Sequence, residues 1–201
     1  MYEYRTLTPQ QRAELVRQRL AKGYPPHRPP HLIRDRTFYL LTGTCYQHKY
    51  YMVDQSRRQQ LLDRLFEAFV TKGMEILAWV VLPNHYHLLV QVANFNDLSK
   101  LFHLVHGSIS RQWNLEDGAT GGRTVWYSYS DRAIRSERHY YTTLNYIHNN
   151  PVKHLWVKSP YDYDQSSIHW YLKYYGREWL RHLWNEYPVR DYGRAWDDIE
   201  K

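Results

Sequence analysis

Residues 80–90 read Val80-Val81-Leu82-Pro83-Asn84-His85-Tyr86-His87-Leu88-Leu89-Val90. Runs of β-branched and aliphatic residues on both sides favour extended chain, and Pro83-Asn84 between them marks a turn. A connection this short joins antiparallel neighbours. The spacing therefore predicts a pair of strands over 74–82 and 85–93. On a strand, residues two apart share a face. His85 and His87 point one way, and Tyr86 and Leu88 the other. Two imidazoles so placed can hold one divalent metal and leave coordination positions open for substrate and water. A polar strand face that binds nothing has the same pattern, so the pair alone leaves both readings open.

Outward from this hairpin, strand and helix signals alternate. Residues 37–46 (T-F-Y-L-L-T-G-T-C-Y) are rich in strand formers. Asp54 caps a helix whose Leu61, Leu62, Leu65, Phe66, Phe69 and Val70 recur at helical spacing, and Lys72-Gly73 ends it. Asn96 or Asp97 opens a second helix with Leu98, Leu101, Phe102, Val105 and Ile109 facing inward. Asp117-Gly118 and Gly121-Gly122 predict a flexible loop over 114–124, followed by a fourth strand over 124–134. Ser136 caps a helix that Pro151 is expected to terminate. The order β-α-β-β-α-β-α implies an α+β sandwich: one mainly antiparallel sheet with helices packed on it.

Both ends differ in character. Thr8-Pro9-Gln10-Gln11 reads as a capping box with Pro at the first helical position, opening a helix to about residue 22. Pro25-Pro26-His27-Arg28-Pro29-Pro30 follows as a stiff, extended linker. Residues 1–35 are thus expected to form a basic arm, 36–172 the body, and 173–201 an aromatic-rich tail with one helix near 177–186.

The chain has 201 residues, with Lys+Arg 27 against Asp+Glu 20, giving a formal charge of +7. No apolar run approaches the roughly 20 residues of a membrane helix, and no signal-peptide core follows the N-terminus. The single cysteine, Cys45, excludes an internal disulfide and a multi-cysteine zinc site, and fits a reducing cytoplasm. Twenty Tyr and eight Trp accompany the positive charge. Cations for phosphates and flat rings for bases suit single-stranded nucleic acid, although such rings also fill cores.

Residues 136–150 read S-E-R-H-Y-Y-T-T-L-N-Y-I-H-N-N. Tyr140, Leu144 and Ile147 form the core stripe. Tyr146 lies off it, with Thr142, Thr143, Asn149 and Asn150 as helical neighbours. A phenol on that polar face is either an ordinary exposed tyrosine or a nucleophile. Asn150, one turn on, is placed to offer its carbonyl oxygen to the same metal as the histidines.

The run P-N-H-Y-H-L-L-V together with Y-I-H-N-N-P-V-K at 146–153 resembles the single-tyrosine HUH transposases of the IS200-like family, in particular the REP-associated tyrosine transposases. Val125-Trp126, Pro160-Tyr161-Asp162-Tyr163 and Ser166-Ser167 extend the resemblance over about residues 37–172. It implies the ferredoxin-like HUH nuclease fold, with His85 and His87 as the metal pair, Asn150 as a third ligand and Tyr146 as the nucleophile. It further implies Mg²⁺ or Mn²⁺ as cofactor and single-stranded or hairpin DNA as partner. The activity implied is nicking and rejoining of DNA through a 5′-phosphotyrosine. Leu82 stands where Met is usual and Tyr127 where Gln or Glu is common, which bears on DNA-site preference and oligomeric state.

Candidate DNA contacts are Arg12, Arg17, Arg19 and Arg28 on the arm, and His103, His106 and Arg111 on the second body helix. Lys153 follows the tyrosine helix, and Trp126, Tyr127 and Tyr129 are candidates to stack bases. Two other readings use the same residues: a metal-dependent phosphodiesterase with water as nucleophile, and a catalytically inactive hairpin-binding module. The protein is expected in the cytoplasm, on the nucleoid when bound to DNA, as a monomer or homodimer.

Overall fold

The computed structural model describes residues 7–22, 37–119 and 122–194. The chain divides into two units, Met1–Leu32 and Ile33–Lys201. In the first, helix α1 (Pro9–Ala21) starts at the expected capping box: the Thr8 hydroxyl accepts from Gln11 N–H, and the Gln11 side chain accepts from Thr8 N–H. None of its residues is buried. Arg28 lies outside the described residues.

The second unit is built on four strands, β1 (Phe38–Thr44), β2 (Glu75–Val81), β3 (His85–Gln91) and β4 (Ser130–Ala133), in the order β2-β3-β1-β4. All three pairings are antiparallel. Helices α2 (Gln55–Thr71) and α3 (Asn96–Glu116) cover one face. Helices α4 (Glu137–Lys153) and α5 (Ile168–Glu186) cover the other. With helices on both faces, β3 is buried from His85 to Val90. Its alternation still holds: Tyr86, Leu88 and Val90 join the α2–α3 core, while Leu89 joins the α4–α5 core. A bulge in β2 between Ile76 and Ala78 shifts the phase, so these two residues face opposite cores.

Gly43 of β1 pairs with Tyr86 across the sheet. A Cβ at Gly43 would collide with the Tyr86 ring, so the missing side chain lets that ring lie flat against the strand. Tyr86 then reaches across to His106, its hydroxyl 2.7 Å from Nε2.

Several boundaries differ from expectation. Strand β4 is only four residues long; Trp126 makes a single bridge to Cys45 instead of continuing the strand. Helix α3 runs through the start of the expected loop, and Asp117 caps it, held by Arg57 of α2 and by Arg123. Those hydrogen bonds hold the Asp117 carboxyl down at about 2. Phe95 occupies the α3 N-cap, and Asn94 supplies the side-chain acceptor, to Asn96 N–H. Helix α4 continues through Pro151 to Lys153. The lost N–H removes one bond, and the helix ends within a turn instead of at the proline. The expected tail boundary at 172 falls inside α5, which kinks at Gly176 (φ 82°) and contributes Ile168, Tyr171, Leu180 and Leu183 to the core.

Candidate active site

His85 opens β3 and His87 follows on the same face, which looks onto α4. Each imidazole is fixed through Nδ1. His85 Nδ1 lies 2.7 Å from Asn84 Oδ1, and His87 Nδ1 lies 2.8 Å from Thr42 Oγ1. Thr42 is the β1 partner of His87, so sheet register alone supplies this contact. The Asn84 carbonyl oxygen can only accept, which selects the His85 tautomer that leaves the Nε2 lone pair inward, as in metal-ligating histidines, while the Thr42 hydroxyl orients the His87 ring.

The two inward nitrogens meet the two α4 residues singled out by sequence. His85 Nε2 is 3.1 Å from Asn150 Oδ1, and His87 Nε2 is 3.3 Å from the Tyr146 hydroxyl. In the assigned tautomer, His85 Nε2 and Asn150 Oδ1 are both acceptors. Donors bound at right angles to one small divalent cation, at roughly 2.1 Å each, stand about 3.0 Å apart. Asn150 is fully buried and its Nδ2 has no hydrogen-bond partner among the described residues. His85, His87 and Asn150 are the residues here that could hold a divalent cation. Among the described residues no cluster of three or more His, Cys, Asp or Glu side chains could hold a metal.

Tyr146 does not stand on a solvated face, as its helical neighbours suggested: it is 1% exposed. Residues 187–194, after α5, fold back over α4. Tyr192 packs edge-on to Tyr146, with ring centroids 5.5 Å apart, and its hydroxyl lies 2.6 Å from Thr143 Oγ1 and 3.0 Å from His139 Nε2. Burial pushes the Tyr192 phenol up from its usual range. Asn145 Nδ2 donates to the carbonyls of Leu183 and Tyr187. Thr143 and Asn145 of α4 are therefore engaged by α5 and the segment after it. Gly193, at φ 77°, touches the Tyr146 ring so closely that a Cβ there would overlap it. Lys153 donates to Gly193 O at 2.9 Å, and its ammonium lies 5.7 Å from the Tyr146 ring centre.

Three expected DNA contacts, His106, Trp126 and Tyr129, belong to the core instead. His106 stacks on Trp126 (4.5 Å between centroids, 11° between planes), and both are buried. Desolvation lowers the His106 pKa to about 3, so it carries no charge for a phosphate. Tyr129 is buried against Phe102, and Tyr127 is half-buried against Tyr46 and His48. His103 and Arg111 are exposed on α3. On α1, Arg17 pairs with Glu14 and Arg12 donates to Leu7 O; Arg19 lies in its last turn. Sequence reading missed Thr42, Asn84, His154, Tyr192 and Gly193. His154 carried a signal, standing one turn beyond Asn150; its ring lies 4.8 Å from that of His85.

The family described as Transposase IS200 like matches residues 37–150. A REP-associated tyrosine transposase of Escherichia coli (strain K12) is 31% identical over 144 residues, covering 67% of this chain and 81% of that protein. A solved structure of a REP-associated tyrosine transposase bound to a REP hairpin superposes with a TM-score of 0.56 at 25% identity, over 84% of this chain and 94% of that one. A putative transposase from Deinococcus radiodurans, at 23% identity, covers 58% of this chain and 92% of its own, with a TM-score of 0.42. Among the described residues no helix is long and apolar enough to cross a membrane. A match that takes in β1, the His85–His87 strand and α4 as far as Asn150 establishes that the chain belongs to the IS200-like transposase family.

Proposed function

We propose that this protein cuts and rejoins single-stranded DNA beside hairpins, using Tyr146 as nucleophile and a divalent cation held by His85, His87 and Asn150. The observation that carries this reading is the convergence of these four side chains, from two elements, in one buried polar nest. The hairpin in the superposed relative's structure supports the substrate class.

The Tyr146 oxygen forms a bond to phosphorus as the bond from phosphorus to the 3′-oxygen breaks. The phenol loses its proton and the departing 3′-oxygen gains one. The products are a 5′-phosphotyrosine and a free 3′-OH. A second 3′-OH reverses the step and joins strands, without water or nucleotide triphosphate. Mg²⁺ or Mn²⁺ would polarise a non-bridging phosphate oxygen. Thr42 and Asn84 hold the imidazoles in register. A phenol with a usual pKa near 10 is a poor nucleophile until its anion is favoured. Lys153, with its positive charge near the ring, favours the phenolate. The reaction requires residues 187–194 to swing away, which uncovers Tyr146 and frees Lys153 from Gly193 together.

The test incubates hairpin oligonucleotides with single-stranded flanks and Mn²⁺, and looks for an SDS-resistant protein–DNA adduct. The expected result is an adduct lost with EDTA, in Tyr146→Phe and in the His85→Ala/His87→Ala double variant. Cleavage that survives Tyr146→Phe without adduct would overturn the mechanism in favour of water as nucleophile. The burial of Tyr146 favours one second reading, a hairpin-binding protein whose site stays shut; it predicts DNA binding and no adduct under any of these conditions.

A further inference from the structure

Two loops meet beside His85. The first, after β1, is pinned to the β2–β3 turn: Cys45 N–H donates to Asn84 O, Met52 N–H to Pro83 O, and Asn84 Nδ2 lies 3.4 Å from His48 O. The second leaves α4 through His154, whose ring packs on His85, and is pinned by Trp156 N–H to Pro151 O. Each carries a large ring to the surface. Tyr50 is 52% exposed and Trp156 is 44% exposed, and their rings meet edge to face at 5.9 Å. Lys49 and Lys158, both exposed, flank them in sequence.

The backbone of these loops is unusual. Four non-glycine residues among those described have positive φ, and three lie here: Gln47 (57°), His48 (52°) and Leu155 (59°). Leucine tolerates that region poorly, and such conformations gather where a surface is held for use. Met52 and Pro151, close by in each segment, are buried, while Tyr50 and Trp156 remain half in water.

We propose that Tyr50 and Trp156 form a stacking subsite for an unpaired DNA base next to the scissile phosphate, with Lys49 and Lys158 facing the adjoining backbone. This rests on the function proposed above. Exposed rings interleaved with cations are what a flexible strand needs: every base has a face to stack, and the cations meet its phosphates. A base fixed against His85's side of the site would hold the neighbouring phosphate near the metal donors. The subsite reads shape and not sequence.

The test measures affinity for oligothymidine of about a dozen nucleotides and for a hairpin with single-stranded flanks, in EDTA. Proteins compared are the wild type, Tyr50→Ala, Trp156→Ala, Trp156→Phe and, as a control, Trp170→Ala, an exposed ring on α5 packed among Tyr174 and Tyr175. Loss of a stacked base weakens binding roughly ten- to a hundredfold. Trp156→Ala and Tyr50→Ala are expected to show that loss, Trp156→Phe to recover most of it, and Trp170→Ala to match the wild type. One abasic position in the flank should cost the wild type a similar factor and cost Trp156→Ala nothing further. That coupling is absent if Trp156 only supports the loop. Binding retained by both alanine variants would overturn the subsite alone. Wild-type protein that binds neither oligonucleotide would overturn the subsite and the proposed function together.

Discussion

Tyr146 is positioned by its neighbours more than by its own helix. His87 aims at its hydroxyl, Lys153 lies over its ring, and Gly193 closes on it from the C-terminal side. Two outcomes follow at this scale. Thr42→Val keeps the shape of β1 but removes the hydroxyl that holds the His87 ring through Nδ1. Losing such a partner costs roughly 10- to 100-fold in metal affinity, and titration of the protein with Mn²⁺ should show it. Gly193→Ala should act the other way on access. Its Cβ overlaps the Tyr146 ring and its φ of 77° disfavours any side chain, so the segment is lifted and adduct formation should accelerate. The shared face of His85 and His87 was legible in the sequence because strand alternation is local. Thr42 was not, because its place opposite His87 depends on a register between strands forty-five residues apart.

At the scale of elements, α4 explains why a sound local reading gave the wrong exposure. Thr142, Thr143, Tyr146, Asn149 and Asn150 read as a polar face in a helical projection, yet Thr143, Tyr146 and Asn150 are buried and Thr142 and Asn149 half-buried. Polar residues tolerate burial when partnered: Thr143 meets Tyr192 beyond α5, Asn145 beside it meets Leu183 in α5 and Tyr187 after it, and Tyr146 and Asn150 meet His87 and His85 of β3. Nothing within α4 encodes that pairing. The hairpin around Pro83-Asn84, the capping residues Thr8, Asp54 and Ser136, and Leu61, Leu62, Leu65 and Phe69 of the α2 stripe were legible, since each depends on residues a few positions apart, whereas Val70 stands exposed past the edge of that face. A chain ending at Val189 should keep α5 and its core contacts while removing Tyr192 and Gly193. Removing closing contacts worth about 1.4 kcal/mol raises the open population about tenfold. Adduct formation by the shortened chain should rise by about that factor, with little change in hairpin affinity.

For the whole molecule, two buried imidazoles set the response to acid. Desolvation lowers both His106 and His148 from the usual 6.5 to about 3. Between those limits the unfolded chain binds protons that the folded protein refuses. Their contribution to stability is therefore complete above pH 6.5 and is lost as pH falls toward the folded value. Each imidazole contributes up to about 1.4 kcal/mol per pH unit in that window. Urea midpoints should fall steadily between about pH 7 and about pH 5. His106→Phe, which keeps a ring beside Trp126, should lower stability at neutral pH by leaving the Tyr86 hydroxyl unpartnered, yet make the pH slope shallower. An unchanged slope would mean that His106 takes up protons in the folded state.

The central claim is that one tyrosine among twenty becomes covalently joined to DNA. Tyr192, with its ring 5.5 Å from that of Tyr146, makes the choice a sharp one. The measurement is to isolate the protein–DNA adduct formed in Mn²⁺, digest both components, and locate the phosphonucleotide by mass spectrometry. The account predicts the modification on Tyr146 alone. A modification on Tyr192 or any other residue, or cleaved DNA with no modified peptide, would contradict it.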